Sequence, residues 1–287
     1  MASTSALKIQ DDKLSSLGLN KMVVNKEQVT TYSRALGVAS EKNPILVLIH
    51  GYPESAFMWR HLVPLLPSNA PIFAPDLPGY GGSAVIEKND KLSVGNVVLS
   101  ALKTEVPTSV QWQHYASPLT AAKEVTGYFH WPLLANVDLA TRMITAFGGS
   151  NWCQEMILRW AGDNPEGLSS LKSDDALTVY GAFFDQPHTL RASCEDYKEG
   201  ATTDVERAEQ DQKEGKKIKI PTCLIYSESY LGSRYKFPEV WNDWIEEGVD
   251  VQHHGLGNGM GHFGVEEAPE ESANVIGTWL ARLGEKS

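Results

Sequence analysis

Ile45-Leu46-Val47-Leu48-Ile49-His50-Gly51-Tyr52-Pro53 is an unbroken run of β-branched residues and leucine that ends in a short punctuated loop. A continuous apolar run of this kind reads as a strand buried on both faces of a parallel sheet, because a solvated face would place polar residues at alternate positions. Gly51 and Pro53 then shape a tight turn. Downstream, Ile72–Ala74 predicts a short strand that runs into Asp76-Leu77-Pro78-Gly79-Tyr80-Gly81-Gly82-Ser83, a Gly-rich turn. Between the two strands, Phe57–Leu66 has helical spacing. Upstream, the alternating Met22, Val24 and Val29 predict a hairpin over Asn20–Thr31, and residues 1–18 form a loose start or a short helix.

Beyond the Gly-rich turn, Leu92–Val106 has the apolar spacing of an amphipathic helix that Pro107 stops. From Ser117 to about Arg207 the pattern is helical and rich in aromatic residues, with no β-like run. Gln210–Lys219 reads as a charged surface linker, and Pro221–Tyr226 and Val249–Gln252 return to strand character. A Gly-rich loop carrying His262 follows, and Glu270–Leu283 closes the chain as a helix. Strands and helices alternating around one helical block predict an α/β fold in three parts: a core segment over 1–116, a helical cap over 117–208 and a second core segment over 209–287.

The 287 residues, 42% of them hydrophobic, are enough for a substantial core, and a net charge of −11 excludes the basic surface that nucleic acid or an anionic membrane requires. Cys153, Cys194 and Cys223 are odd in number and form no C-x-x-C pair, so neither a disulfide framework nor a zinc site is expected. Met1–Gln10 lacks the basic-then-apolar pattern of a secretion signal, and Ile45–Ile49 is far too short to span a bilayer. A cytoplasmic location follows as the default, and no pattern fixes an oligomeric state.

Three motifs together carry a family resemblance. His50-Gly51-Tyr52-Pro53-Glu54, the Asp76–Ser83 turn, and Gly261-His262-Phe263 followed by Glu266-Glu267-x-Pro269-Glu270 resemble the epoxide-hydrolase and dehalogenase branch of the α/β-hydrolase family. Tyr128-Phe129-His130-Trp131-Pro132-Leu133-Leu134-Ala135 and Cys194-Glu195-Asp196-Tyr197-Lys198 look like the haloacetate (fluoroacetate) dehalogenase subgroup. The resemblance implies an α/β-hydrolase fold, a mostly parallel sheet flanked by helices with a helical cap. It also implies hydrolysis of a small molecule at an activated carbon without a cofactor. Carried over residue by residue, it makes the Tyr52 N–H an oxyanion donor and His262 the general base. His130, Trp131, Trp160 and Tyr197 become a pocket for the substrate and its leaving halide. The same aromatic residues would also pack the helices of a cap.

The attacking group is absent from the pattern. The nucleophile of this fold sits on a strained strand-to-helix turn flanked by small residues, and the chain contains no Gly-x-(Ser/Asp/Cys)-x-Gly. Helix Leu92–Val106 runs straight into Pro107-Thr108-Ser109, where the subgroup has a strand, the elbow with its Asp and Arg, a helix and a further strand, roughly thirty to forty residues. Thr104 stands at the matching acid position, with Glu105 beside it. Glu228, after the Thr222–Tyr226 strand, occupies an alternative acid position from which it would orient His262, or is a surface glutamate in a loop. Loss of two central strands would leave two half-sheets with unpaired edges, unless Ile45–Ile49 and Thr222–Tyr226 pair directly. Three readings follow: a hydrolase-family protein with weak or no activity, a non-catalytic protein that binds a small ligand in the cap, and a shortened product of a complete hydrolase gene.

Overall fold

A computed structural model describes residues 2–24, 28–40, 42–85, 126–237 and 239–285. The expected helix Leu92–Val106, the Pro107 junction, Thr104 and Glu105 lie outside the described residues.

The N-terminal residues form a full helix, α1 (Ala2–Ser16), which buries Ala6, Gln10 and Leu14. The hairpin pairs β1 (Asn20–Val24) antiparallel to β2 (Val29–Arg34), with Met22 opposite Thr31. β3 (Leu46–Val47) and β4 (Ile72–Pro75) complete a four-stranded sheet of order β1-β2-β4-β3, in which β3 and β4 run parallel and β2 and β4 antiparallel. In place of the helix expected over Phe57–Leu66, two 3₁₀ turns cover Ala56–Arg60 and Val63–Leu65. Ser55 caps the first by accepting the Phe57 N–H, and Pro64 restricts the second.

The helical block follows. It comprises α2 (His130–Ala135), α3 (Val137–Phe147), α4 (Gly149–Trp160), α5 (Pro165–Lys172), α6 (Ala176–Phe184), α7 (Pro187–Ala201) and α8 (Thr203–Lys213). Asn164 starts α5 by accepting the N–H groups of Glu166 and Gly167. Because α8 runs to Lys213, only the end of the Gln210–Lys219 segment is a linker; its charges line a solvated helix. A second, two-stranded sheet pairs β5 (Thr222–Ser227) parallel to β6 (Val251–Leu256). The short helix α9 (Gly264–Glu267) and the closing helix α10 (Pro269–Glu285) end the chain.

Two apolar clusters hold these pieces. One lies inside the helical block, around Ile144, Trp152, Ile157, Tyr180 and Phe184, and takes in Ala6, Phe57 and Phe263. The other packs Leu14, Leu19, Trp59 and Leu62 against Tyr32, Ile72 and Ala74 of the four-stranded sheet. A fully buried Arg60 joins the 3₁₀ turn to the block. It pairs with the buried Glu266 carboxylate, which also accepts the Tyr180 hydroxyl at 3.0 Å, and it donates to the Leu171 carbonyl at 3.0 Å.

The expectation that Ile45–Ile49 is buried on both faces is not met. Only Leu46 and Val47 are in strand pairing, and Ile45 is 45% and Val47 54% exposed. The reason is topological: β3 is the last strand of its sheet, β5 is an edge of the other, and no strand among the described residues lies on the outer side of either. The direct pairing of β3 with β5 that was one expectation does not occur.

Candidate functional site

His50 fixes the loop after β3. Its Nε2 accepts the Leu77 N–H at 2.9 Å and its Nδ1 faces the Gly51 carbonyl at 3.0 Å, which places the ring proton on Nδ1 and ties the loop to the Gly-rich turn. Asp76 anchors that turn by accepting from Gln10 at 2.8 Å, the Ala56 N–H at 2.8 Å and the Gly82 N–H at 2.9 Å. Burial outweighs these bonds and raises its carboxyl to about 6. Tyr52, joined to Pro53 by a cis peptide bond, directs its phenol into the helical block, where the oxygen accepts the Trp152 Nε1–H at 2.7 Å. No hydrogen bond of the described residues uses the Tyr52 N–H.

The His262 loop is held by backbone and by one carboxylate. The His262 N–H donates to the Trp160 carbonyl at the end of α4 at 2.9 Å. Glu267 accepts from Gly162 and Gly261 at 2.8 Å each and from Phe263 at 3.0 Å, so one buried side chain clamps both the loop after α4 and the His262 loop. The two loops touch backbone to backbone: a Cβ on Gly261 would lie 2.1 Å from the Gly162 nitrogen, and a Cβ on Gly162 would lie 2.0 Å from the Gly259 carbonyl oxygen. Both glycines are required for that approach.

The half-buried His262 ring lies among aromatic rings, with Tyr230 at 5.1 Å, Phe263 at 5.2 Å and Trp160 at 6.2 Å between centroids. Trp160 leads on to the buried His130 at 4.5 Å, and His130 to Tyr197 at 5.6 Å. Tyr197 in turn lies 5.1 Å from Tyr52 and 6.2 Å from Trp131. The structure therefore brings Tyr52, His130, Trp131, Trp160, Tyr197 and His262 into one cluster from five separate segments. Burial, followed by the proximity of His262, Arg159 and Arg234, pushes His130 down to about 3, so its ring is neutral at physiological pH. Burial also raises the phenols of Tyr52 and Tyr197 well above their ordinary value.

Glu228 stands apart from the cluster. It is exposed at the end of β5, its N–H bonds to the Leu256 carbonyl at 3.0 Å, and its carboxylate packs beside Gly255 and Gly257. No hydrogen bond or ion pair joins it to His262 among the contacts of the described residues. His253 and His254 sit within β6, and His254 pairs with Glu271 at 2.7 Å.

Three contributors escape a reading of residue types: the Glu267 clamp, the Trp152 donor to Tyr52, and Tyr230. Glu267 belongs to the recognised Glu266-Glu267-x-Pro269 motif, but nothing in the motif separates the salt-bridged Glu266 from the clamping Glu267. Among the described residues no group of three His, Cys, Asp or Glu side chains is placed to hold a metal ion. The cluster offers buried, unpartnered nitrogens instead: the Trp160 Nε1–H donor and His130 Nδ1 have no hydrogen-bond partner. Such groups are suited to an anion or a developing negative charge.

The architecture is that of the α/β-hydrolase fold. A family model described as the alpha/beta hydrolase fold matches residues 44–103, and an α/β-hydrolase structure from Nostoc sp PCC 7120 superposes with a TM-score of 0.72 at 25% identity, over 91% of this chain and 98% of that one. The chain is similar to dehalogenases and epoxide hydrolases that share this fold. It is 22% identical to the fluoroacetate dehalogenase of a Burkholderia species, covering 85% of this chain and 89% of that protein. The Cif epoxide hydrolase of Acinetobacter nosocomialis shares the fold with a TM-score of 0.68 at 17% identity, over 97% of this chain and 96% of that one.

Proposed function

We propose that this protein holds a small ligand in a dehalogenase-type pocket between its core and a helical cap, and that it hydrolyses such a ligand weakly or not at all. The observation that carries the reading is the convergence of His262, Trp160, His130 and Tyr197 on one aromatic cluster, with ring centroids 4.5–6.2 Å apart along the chain of contacts. In the related chemistry an Asp displaces a leaving group at carbon to give an alkyl-enzyme ester, and water activated by a His cleaves that ester. His262 supplies the base of the second step. The covalent first step has no elbow motif anywhere in the sequence to carry it.

The test pairs turnover with binding. Fluoride or chloride release from haloacetates and diol formation from a simple epoxide are expected at a small fraction of an intact enzyme's rate, while calorimetry detects binding of a short haloacid. Halide release at an ordinary enzymatic rate, on the order of 1–1000 per second, would overturn the loss of activity. Absence of binding to haloacids, short esters and halide would overturn the pocket.

A further inference from the structure

We propose that Arg234 is the anion anchor of this site, selecting ligands that carry a carboxylate; the proposal rests on the pocket reading above. Arg234 follows β5 in the loop that also carries Tyr230, and its guanidinium carbon lies 4.8 Å from the Tyr230 ring and 4.7 Å from the Tyr128 ring. Tyr230 is the ring at 5.1 Å from His262, and Tyr128 is two residues before His130. The guanidinium is thus sandwiched between the strand loop that faces the imidazole and the entrance to α2.

Two features separate this arginine from an ordinary surface cation. First, its charge has no carboxylate opposite it: among the described residues no ion pair involves Arg234, whereas Arg60, Arg191, Arg207 and Arg282 each have one. Second, although the Tyr128 and Tyr230 hydroxyls lie within polar reach of the guanidinium, its Nη1 is buried and makes no hydrogen bond, and the same holds for Trp160 Nε1 and His130 Nδ1. A buried N–H without an acceptor is costly, and leaving several together makes sense when a ligand supplies the acceptors. Arg159, stacked 5.3 Å over Phe129, adds positive charge from the other side of His130, but it is exposed and its field is screened by water. A guanidinium fork matches a carboxylate with two parallel N–H···O bonds, which a neutral amide cannot accept in the same way. Arg234 would therefore do the gripping that falls to the elbow arginines in the related dehalogenases.

Calorimetric titration with chloroacetate and with its neutral isostere chloroacetamide tests this on the full chain. Wild type is expected to bind chloroacetate about tenfold more tightly or better. Arg234→Met, which keeps the stem between the two tyrosines, is expected to erase the preference and to leave chloroacetamide binding within about twofold; Arg234→Lys should retain part of it. The chloroacetamide titration doubles as a check that each variant is folded. Equal weakening of both ligands in Arg234→Met, or no preference in wild type, overturns the anchor while the pocket stands. Failure of wild type to bind either ligand overturns the pocket and the anchor together.

Discussion

At the scale of single residues, His130 makes the site sensitive to pH in a direction that can be worked out. Its folded pKa lies near 3 against an ordinary 6.5, so the unfolded chain binds more protons in that window. The stabilisation is fully present above about 6.5 and is lost as the pH falls toward 3, by up to about 1.4 kcal/mol per pH unit. Asp76 has the opposite sign, because its raised carboxyl favours the folded state at low pH and loses that advantage as pH rises toward 6. The comparison that isolates the histidine is wild type against His130→Gln: chemical denaturation between pH 4 and 7 should show a shallower acid loss in the variant. Equal slopes would mean that the ring is not held neutral. The family resemblance of their motifs pointed to Tyr52, His130, Trp131, Trp160, Tyr197 and His262, and these residues lie in one cluster. For Glu228 strand position left two readings open, an acid that orients His262 and a surface glutamate in a loop, because position along a strand does not fix where the carboxylate points; here it packs beside Gly255 and Gly257. Neither the Glu267 clamp nor the proposed role of Arg234 was legible, because what singles these residues out is a set of backbone bonds and a buried Nη1 without a partner.

At the scale of elements, the outer sides of β3 and β5, which no strand among the described residues covers, are the most testable feature. In β3 the Leu46 and Leu48 N–H groups donate to Pro71 and Phe73, at 2.8 and 2.9 Å, so by alternation Val47 and Ile49 direct theirs away from the sheet. In β5 Thr222 and Glu228 donate to the Asp250 and Leu256 carbonyls, each at 3.0 Å, which turns Cys223 and Ile225 outward. Hydrogen exchange should therefore alternate along each strand, with Leu46, Leu48, Leu224 and Tyr226 protected and Val47, Ile49, Cys223 and Ile225 exchanging quickly. Uniform protection along either strand would show that another strand covers it. The hairpin, β4, β5 and α10 were legible because hydrophobic period and turn residues are local signals. The burial of Ile45–Ile49 was not, since it depends on which strand lies beside it.

At the scale of the whole molecule, no strand among the described residues joins the two sheets, and Arg60, Glu266 and Glu267 tie the 3₁₀ turn, the helical block and the His262 loop together. The fold class was readable because three distant motifs fall in the right order around a helical stretch. The separation of the two sheets among the described residues depends on which strands pair, and no run of residues read singly carries that. The net charge of −11 keeps copies apart in general, but Ile45–Ile49 is uncharged and open at its edge, a template for strand pairing. Val47→Lys places a charge on that exposed position. It is expected to change stability by no more than about 0.5 kcal/mol and to lower concentration-dependent light scattering; unchanged scattering would show that the edge is not where copies meet. The clamp at Glu267 sets a mechanical condition on all of this. Since one carboxylate grips Gly162, Gly261 and Phe263 at once, the end of α4 and the loop that bears the imidazole are coupled into a single rigid part, so any opening around His262 falls to its other neighbours.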